Sequence, residues 1–347
     1  MSERPHAVPR TAARTSARTS ARTILGDWGT SRLRLYLCEA DALSGPVRIA
    51  AAAGPGIKFT ADFAATFRET AARLPLAEGP QDAVLAGMVG ANVGWRETGY
   101  ISCPCDWEAY AAAGTSFDLD RFRITVLPGA SSLNEFGYRD IMRGEEVQVL
   151  GALAGGDVGP GRRLVCLPGT HTKWVLVADG TIAQFATSMQ GELYDLLCRH
   201  SVLVARGDAG ADAPLSSDAI TVDLNAFDDG VQLLRANAAL AQAEALFAVR
   251  CRQVRGELAP ARAPAYLSGI LIAADVRDVG ARWRDTHAVS APVLVVGDTN
   301  LAALYARALD AFGIANRVLD GEACTLRGLN ACRALRSRTT ADLHAAR

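Results

Sequence analysis

The chain has 347 residues, of which 50% are hydrophobic and 21% are charged, with 36 Lys and Arg against 37 Asp and Glu. This length is enough for two ordinary domains, and the balanced charge gives no chain-wide attraction to nucleic acid, so we expect no nucleic-acid partner. Without an apolar run of about 18 residues or an apolar leader, we expect no membrane span and a cytoplasmic location. Eight irregularly spaced cysteines are typical of reduced thiols.

The composition of the two ends differs from that of the rest of the chain. In residues 1–22, Ala, Arg, Ser and Thr repeat without an apolar face, which is typical of a disordered tail. An Arg-rich transit peptide is the alternative. Glycines cluster in residues 154–162 and predict a linker between an N-terminal domain, residues 23–158, and a C-terminal domain, residues 159–335. Residues 336–347 are expected to form a second tail.

The first ordered segment has the pattern of two strands joined by a glycine turn. Residues 23–26 are apolar, residues 32–37 alternate polar and apolar side chains, and Asp27-Trp28-Gly29-Thr30-Ser31 lies between them. A third strand is predicted at residues 47–52.

The same pattern returns in the second half of the chain. Residues 164–167 are apolar, Pro168-Gly169-Thr170-His171-Thr172 forms the turn, and residues 173–177 predict the return strand. Asp179-Gly180 predicts a hairpin turn into a third strand at residues 181–185. Two matched hairpins, one in each half, indicate an internal duplication.

Helical and strand patterns alternate through the rest of both halves. Helices are predicted at residues 63–74, 145–154, 191–200, 230–249, 270–276 and 301–312, and strands at residues 83–86, 124–127, 265–267 and 293–296. This alternation indicates an α/β fold with largely parallel strand pairing.

Each Gly-Thr turn presents backbone N–H groups and hydroxyls, a combination that suits phosphate oxygens. Either turn alone is compatible with an ordinary hairpin, but the matched pair predicts a polyphosphate site between the domains. Asp27 is positioned to hold Mg²⁺ through water. No P-loop pattern occurs, and no strand is followed by Gly-x-Gly-x-x-Gly. The predicted phosphate-binding residues are Gly29, Thr30, Ser31, Gly169, Thr170 and Lys173, the last through its ammonium charge.

Two adjacent carboxylates, Glu145 and Glu146, follow Gly144 at the start of a predicted helix. The helix dipole favours negative charge at this end, so plain stabilisation of the helix is one interpretation. The other is a general base at the cleft, just upstream of the second phosphate turn. We assign Glu145 as the base and keep Glu146 as the alternative.

Three further segments are candidates for substrate contacts. In residues 87–95, glycines surround Asn92 and Trp95, and the Asn92 amide offers a donor and an acceptor to a sugar hydroxyl. Glu192 begins another helix and is able to accept from hydroxyls. Small residues that follow strand ends form ligand crevices in α/β folds, which predicts nucleoside contacts at Ser268, Gly269 and Gly297.

Together these motifs resemble the 2-dehydro-3-deoxygalactonokinase family, within the sugar kinase–heat-shock–actin superfamily. The resemblance runs from about residue 23 to residue 333 and is most specific in residues 87–95, 142–148, 167–175 and 191–197. It implies two ribonuclease-H-like domains of the actin-like ATPase type with a cleft between them. It also implies ATP- and Mg²⁺-dependent phosphorylation of the 6-hydroxyl of 2-dehydro-3-deoxy-D-galactonate, in galactonate catabolism. In related carbohydrate kinases the acidic residue at the position of Glu145 is the base.

The implied substrate is a carboxylate, for which Arg143 and Lys58 are the basic candidates. The alternatives are a kinase for another keto-deoxy sugar acid, a phosphatase that uses water, and a non-kinase actin-like ATPase. A sugar-responsive repressor would carry a helix-turn-helix segment before the first phosphate turn, where this chain has only a short polar segment. A homodimer is compatible with the sequence.

Overall fold

A computed structural model of the chain describes residues 22–41, 45–204 and 223–345. Residues 1–21, which make up nearly all of the expected N-terminal tail, lie outside the described residues. The strands in the described ranges are β1 (Arg22–Trp28), β2 (Arg32–Asp41), β3 (Gly45–Pro55), β4 (Gln81–Ala86), β5 (Tyr100–Ser102), β6 (Thr115–Leu119), β7 (Phe122–Val126), β8 (Gly129–Leu133), β9 (Arg139–Met142), β10 (Arg163–Leu167), β11 (Thr172–Ala178), β12 (Thr181–Ser188), β13 (Val293–Gly297) and β14 (Asn316–Asp320). The α-helices are α1 (Phe63–Ala71), α2 (Trp107–Ala112), α3 (Glu145–Ala154), α4 (Gln190–His200), α5 (Leu224–Ala236), α6 (Gln242–Val254), α7 (Ala263–Asp275), α8 (Arg282–Thr286), α9 (Thr299–Ala311) and α10 (Gly321–Ala345).

Two sheets share one topology. Their strand orders are β3-β2-β1-β4-β7-β6 and β12-β11-β10-β13-β14. In each sheet the first three strands of the chain pair antiparallel, and the next two continue parallel to the first strand. This repeated arrangement is a duplicated ribonuclease-H-like fold, which confirms the predicted α/β class and two-domain architecture. A small third sheet, β5-β8-β9, lies between β4 and α3 in the chain.

The strands bury side chains on both faces, because each sheet has packed layers on its two sides. Ile24 on β1 packs into a core with α1, whereas its neighbour Leu25 packs into a core between the two sheets. On β10, Leu164 faces a third core, formed with the helices of the C-terminal domain, and Val165 faces the core between the sheets. The central core therefore joins the two domains.

Helices α3 and α10 pack closely together within this central core. A Cβ atom added at Gly151 on α3 would lie 1.7 Å from the carbonyl oxygen of Cys324 on α10. One added at Gly328 on α10 would lie 1.9 Å from the carbonyl oxygen of Val147 on α3. Neither contact is sterically allowed, so the glycines are required for the helices to approach so closely.

The expectation of a C-terminal tail at residues 336–347 is wrong for residues 336–345, because α10 continues to Ala345. Arg336 anchors this part of the helix by donating to the carbonyl oxygen of Ala111 at 2.6 Å and to that of Gly114 at 3.1 Å. The C-terminal helix therefore packs against α2 and α3 and also contacts strands of both sheets.

Two other sequence-based predictions are corrected in the C-terminal domain. The predicted strand at residues 265–267 is part of α7, whose residues are almost all buried. The periodicity of a short apolar run does not distinguish a buried strand from a buried helix. The single helix predicted at residues 230–249 is two helices, α5 and α6, with a break between Ala236 and Gln242 that an alanine-rich stretch conceals.

All eight cysteines of the chain lie in the described ranges, and all are free thiols. Five of them contribute to the cores with exposures of 0%, namely Cys38, Cys105, Cys166, Cys324 and Cys332. None of the helices in the described ranges has the length and apolar character needed to cross a membrane.

Candidate active site

The first glycine turn follows β1 and is held by the short 3-10 turn Ile57–Phe59. The N–H of Ile57 donates to the Gly29 carbonyl, and the N–H of Lys58 donates to the Thr30 carbonyl, each at 3.1 Å. A Cβ atom at Gly56 would lie 2.4 Å from the Thr30 carbonyl oxygen, so only glycine fits there. The turn is thus rigidly placed, while the Thr30 side chain remains exposed.

The second glycine turn is joined to the start of α4. The N–H of Glu192 donates to the Thr170 carbonyl at 2.9 Å, and a Cβ atom at Gly191 would lie 2.2 Å from the Gly169 carbonyl oxygen. The His171 ring Nε2 lies 2.6 Å from Glu192 Oε2. A Cβ atom at Gly169 would contact nothing, so the turn has open space above it.

A buried lysine connects the two domains at this point. Lys173 is 4% exposed, and its Nζ lies 3.5 Å from Glu145 Oε1 and 3.4 Å from the His171 carbonyl oxygen. Lys173 belongs to β11, whereas Glu145 begins α3 in the N-terminal domain. The Glu145 side chain is 30% exposed and accepts from the Arg143 N–H at 3.0 Å.

Asp27 lies at the end of β1, opposite Arg34 on β2. Burial raises the pKa of Asp27 to about 6; the Arg34 guanidinium, 3.9 Å away, opposes this rise, and the negative charge of Glu145 adds to it. Gly87 adopts a φ of 94°, and a Cβ atom there would lie 3.2 Å from Asp27 Oδ1. The structure therefore brings Asp27, Glu145 and Lys173 together, as the sequence predicts.

Glu146 has surroundings very different from those of Glu145. It is fully buried, and its two carboxyl oxygens accept from the Gly144 N–H at 2.9 and 2.8 Å. The Tyr110 hydroxyl lies 2.9 Å from Oε1 and donates to the Pro128 carbonyl oxygen at 2.9 Å. Burial, with a contribution from the charge of Glu145, raises the pKa of Glu146 to about 8. At neutral pH this carboxyl retains its proton and serves to hold the helix start.

Two of the predicted substrate residues have their polar or aromatic groups engaged within the protein. The Arg143 guanidinium donates to the Thr98 hydroxyl at 2.8 Å and to the Thr98 carbonyl at 2.7 Å, and it lies 4.3 Å from the centre of the Tyr100 ring. Trp95 packs among aromatic rings, 5.9 Å from Trp28 and 4.9 Å from Phe117 by ring centroids. These contacts fix both side chains within the protein, and their predicted contact with substrate stays a prediction.

Asn92 and Lys58, in contrast, are exposed. Lys58 lies beside the first turn, and Asn92 lies in the loop that follows β4 and passes close to Asp27 at Gly87. Glu192 lies against the second turn, where it contacts His171. His171 is the polar side chain at this site that the sequence analysis did not select, although it stands inside the second turn motif.

The residues predicted to contact the nucleoside lie in different kinds of element. Ser268 and Gly269 lie inside α7, so they do not follow a strand end, and a Cβ atom at Gly269 would lie 2.1 Å from a carbonyl oxygen of α5. Close packing of two helices explains that glycine. Gly297 does end a strand, β13, and a Cβ atom there would lie 3.6 Å from Pro168 of the second turn. The crevice predicted at strand ends is therefore retained only around Gly297.

Comparison with known proteins gives a family for this fold and site. A family model described as 2-keto-3-deoxy-galactonokinase matches residues 27–332. A probable 2-dehydro-3-deoxygalactonokinase of Rhizobium meliloti is 36% identical over 311 residues, which cover 88% of this chain and 94% of that relative. The 2-dehydro-3-deoxygalactonokinase of Escherichia coli is 33% identical over 297 residues, which cover 83% of this chain and 89% of the relative.

A solved structure agrees with these sequence relatives. A crystal structure of a Sinorhizobium meliloti protein, assigned as a 2-dehydro-3-deoxygalactonokinase, has a TM-score of 0.74 and 34% sequence identity, and the match covers 90% of this chain and 95% of that chain. The chain therefore belongs to the 2-keto-3-deoxy-galactonokinase family of carbohydrate kinases. The resemblance drawn from the motifs is confirmed, and with it a kinase that uses ATP and a small sugar substrate.

Proposed function

We propose that this enzyme transfers the terminal phosphoryl group of ATP to the 6-hydroxyl of 2-dehydro-3-deoxy-D-galactonate, forming the 6-phosphate and ADP in galactonate catabolism. The single observation that supports the chemistry most directly is the Glu145–Lys173 pair. A partly exposed carboxylate from one domain lies 3.5 Å from the ammonium group of a lysine that follows the second glycine turn of the other. Such a pair sets a proton acceptor next to a phosphate-binding cation, which is the arrangement that phosphoryl transfer requires.

Glu145 acts as the general base and accepts the proton of the sugar hydroxyl. Its side chain has access to the cleft, and the Arg143 N–H fixes one carboxyl oxygen. An incoming nucleotide phosphate competes for the Lys173 ammonium and leaves Glu145 free to accept a proton. Glu146 is unsuited to this role because it is buried, fully hydrogen-bonded and protonated at neutral pH.

The ATP phosphates bind between the two turns. Backbone N–H groups and hydroxyls of these turns, together with Lys173, offset the negative charge that spreads over the transferred group. His171 is placed to join them, since Glu192 holds its ring at the edge of the second turn. The residues assigned to the phosphates are Gly29, Thr30, Ser31, Gly169, Thr170, His171 and Lys173.

Asp27 fits the requirements of a Mg²⁺ site. It offers a hard carboxylate oxygen whose side chain is 34% exposed, and Gly87 lets the loop after β4 approach closely, since a Cβ atom there would lie 3.2 Å from Oδ1. Mg²⁺ retains several waters and needs few protein ligands when phosphates supply the rest. When bound through water to Asp27, the ion would neutralise phosphate charge.

The sugar acid binds on the N-terminal side of the cleft. Asn92 is accessible for a hydroxyl, and Lys58 is the accessible cation for the carboxylate, because the Arg143 guanidinium is engaged by Thr98. The nucleoside lies by Gly297 and Pro168. Free thiols, the balanced charge and the small-molecule substrate support a cytoplasmic enzyme without a nucleic-acid partner, and a homodimer is compatible with this role.

The test is a coupled ADP-release assay on the full chain with a panel of keto-deoxy sugar acids that includes both C4 epimers. The proposal predicts the highest kcat/KM for the galactonate-derived acid, with product phosphorylated at the 6-hydroxyl by NMR. A higher kcat/KM for another acid would change the substrate. ATP hydrolysis that no sugar acid stimulates, together with nucleotide-dependent sedimentation, would instead favour a non-kinase actin-like ATPase.

A further inference from the structure

A buried carboxylate lies behind the second glycine turn, away from the cleft. Asp275, on α7, has an exposure of 0%. The Trp174 ring Nε1 donates to Asp275 Oδ1 at 3.1 Å, and the Tyr305 hydroxyl donates to Asp275 Oδ2 at 2.7 Å. None of the steps proposed for phosphoryl transfer involves this group, although burial of a carboxylate is energetically unfavourable unless it is well paired.

Thr172, Tyr305 and Asp275 are linked by two successive hydrogen bonds, both donated towards Asp275. The Tyr305 hydroxyl lies 2.9 Å from the Thr172 hydroxyl, and either oxygen has the geometry of a donor. Because Tyr305 uses its only hydroxyl proton on Asp275, Thr172 must be the donor in the second bond. Burial raises the pKa of Asp275 to about 6, so at neutral pH the carboxylate is ionised and accepts at the end of the chain.

The two residues held by this carboxylate stand on either side of Lys173. Thr172 and Trp174 are both fully buried on the face of β11 that packs against the C-terminal helices. Since side chains alternate along a strand, Lys173 must point to the opposite face, towards Glu145. A Cβ atom at Gly280 would lie 2.5 Å from the Trp174 ring, so the backbone of the π-helical segment Val276–Ala281 presses closely against that ring.

We propose that Asp275 is a positioning residue for nucleotide phosphate binding: through Tyr305 and Trp174 it holds both neighbours of Lys173 and so fixes the direction of the Lys173 ammonium group. This inference rests on the phosphate role proposed for Lys173. A well-packed apolar group would fill the same space without the desolvation penalty of a buried charge. The carboxylate instead provides two directional bonds at the strand that carries the cation.

The test compares two tyrosines of the same core. Tyr305→Phe removes the hydroxyl that links Asp275 to Thr172, whereas Tyr266→Phe removes a hydroxyl from another tyrosine, 2% exposed, in the same hydrophobic cluster. The readouts are the KM values for ATP and for the sugar acid, kcat, the Tm, and the increase in Tm on adding ADP. Thr172→Val keeps the side-chain shape and removes the hydrogen bond between Thr172 and Tyr305. It replaces Tyr305→Phe as the test variant if Tyr305→Phe fails to fold.

Tyr305→Phe and Thr172→Val should each raise the KM for ATP by about 3- to 10-fold, as expected for one lost hydrogen bond. They should reduce the ADP-induced increase in Tm, and change the KM for the sugar acid less than twofold. Tyr266→Phe should leave all these quantities near their wild-type values. An unchanged KM for ATP in both Tyr305→Phe and Thr172→Val, or an equal rise in both KM values, would overturn the inference.

Lys173→Met in the same assay distinguishes a failure of the phosphate role proposed for Lys173 from a failure of the positioning role proposed for Asp275. If Lys173→Met raises the KM for ATP and the Tyr305 and Thr172 variants do not, Lys173 binds phosphate but Asp275 does not position it. If Lys173→Met itself leaves the KM for ATP unchanged, the phosphate role of Lys173 is wrong, and the positioning role of Asp275 is refuted with it.

Discussion

Lys173 Nζ and Glu145 Oε1 lie 3.5 Å apart although the two residues belong to different domains. The lysine is held by β11 and the carboxylate by the first turn of α3, so the distance depends on how the domains are placed around the central core. In the proposed reaction Lys173 binds phosphate and Glu145 accepts a proton. Their direct contact, together with the hydrogen bond to the His171 carbonyl oxygen, pairs the ammonium in a region of low dielectric.

Glu145→Gln keeps the side-chain shape and removes the proton acceptor. General-base assistance contributes about 10²–10⁴-fold, so we expect kcat to fall by that factor in the ADP-release assay at saturating substrates. The matched control is Glu146→Gln, whose kcat should fall only a few-fold because Glu146 is buried and holds Gly144. Calorimetry should show sugar binding retained in both variants.

The opposite ranking of these two variants would move the base by one residue. A loss of only a few-fold in both would mean that the base lies elsewhere, with Asp27 as the next carboxylate to test. Adjacent residues at a helix start point about 100° apart around the axis, so equal loss in both variants is not expected for one base.

Lys173→Met retains the apolar stem and removes the charge. A hydrogen bond to a charged group contributes about 1.5–3 kcal/mol, so the KM for ATP should rise about 10- to 100-fold with a smaller change in the sugar-acid KM. The chain contains one other lysine, Lys58, which is exposed beside the first turn. Lys58→Met should show the reverse pattern, with the larger effect on the KM for the sugar acid.

His171 and Glu192 should act as a unit in nucleotide binding. Their side chains are 46% and 39% exposed, so the ion pair contributes little to the stability of the fold. In the proposed site, Glu192 orients the His171 imidazole. We expect His171→Asn and Glu192→Gln each to raise the KM for ATP by a few-fold, and the double variant to be no worse than His171→Asn alone. Additive effects in this double-mutant cycle would show that the two side chains act independently, as they would if Glu192 bound the sugar.

The chain order of strands and the paired glycine turns were predictable because they depend on local patterns. Residues 23–26 and 164–167 are apolar runs that end in a Gly-Thr turn, and they form β1 and β10 at equivalent places in the two sheets. The roles proposed for Asp27, Glu145 and Lys173 were suggested by their positions near these turns. Their proximity in space then results from the duplication itself.

The long helix α10 was not predictable from periodicity. It packs against α3 and α2 and also contacts strands of both sheets, so it has no single apolar face. Apolar, small and charged residues therefore alternate along it without the 3.6-residue period of a surface helix. The engagement of Arg143 by Thr98 was equally hidden, because these residues lie far apart in the sequence and meet only when β5, β8 and β9 have folded.

Gly297→Ala tests the position of the nucleoside. The added Cβ would meet Pro168 at 3.6 Å, an ordinary van der Waals contact, so the fold should tolerate it. A nucleoside next to this glycine would lose space, and we expect the KM for ATP to rise while the KM for the sugar acid and the Tm stay close to wild type. Unchanged kinetics with ATP would place the nucleoside away from the end of β13.

Glu146 gives the protein a pH-dependent stability whose sign follows from its pKa. The pKa of Glu146 is about 8 in the folded protein and 4.5 for a freely exposed glutamate, so between these values the folded state keeps a proton that the unfolded state has lost. The free energy of unfolding should therefore decrease as the pH rises from about 5 to 8, with a contribution from this group of at most about 1.4 kcal/mol per pH unit.

Glu146→Gln isolates that contribution, because the amide retains an acceptor for the Gly144 N–H and has no proton to lose. Urea unfolding at a series of pH values should give a flatter profile for the variant than for the wild type over this range. Within this range the two profiles should differ most at pH 8. At that pH the unfolded wild type has lost the Glu146 proton, whereas the folded wild type must either keep the proton or ionise a buried carboxyl. Parallel profiles would mean that Glu146 ionises at a similar pH in the folded and unfolded protein, and its unsuitability as a base would then rest on its burial alone.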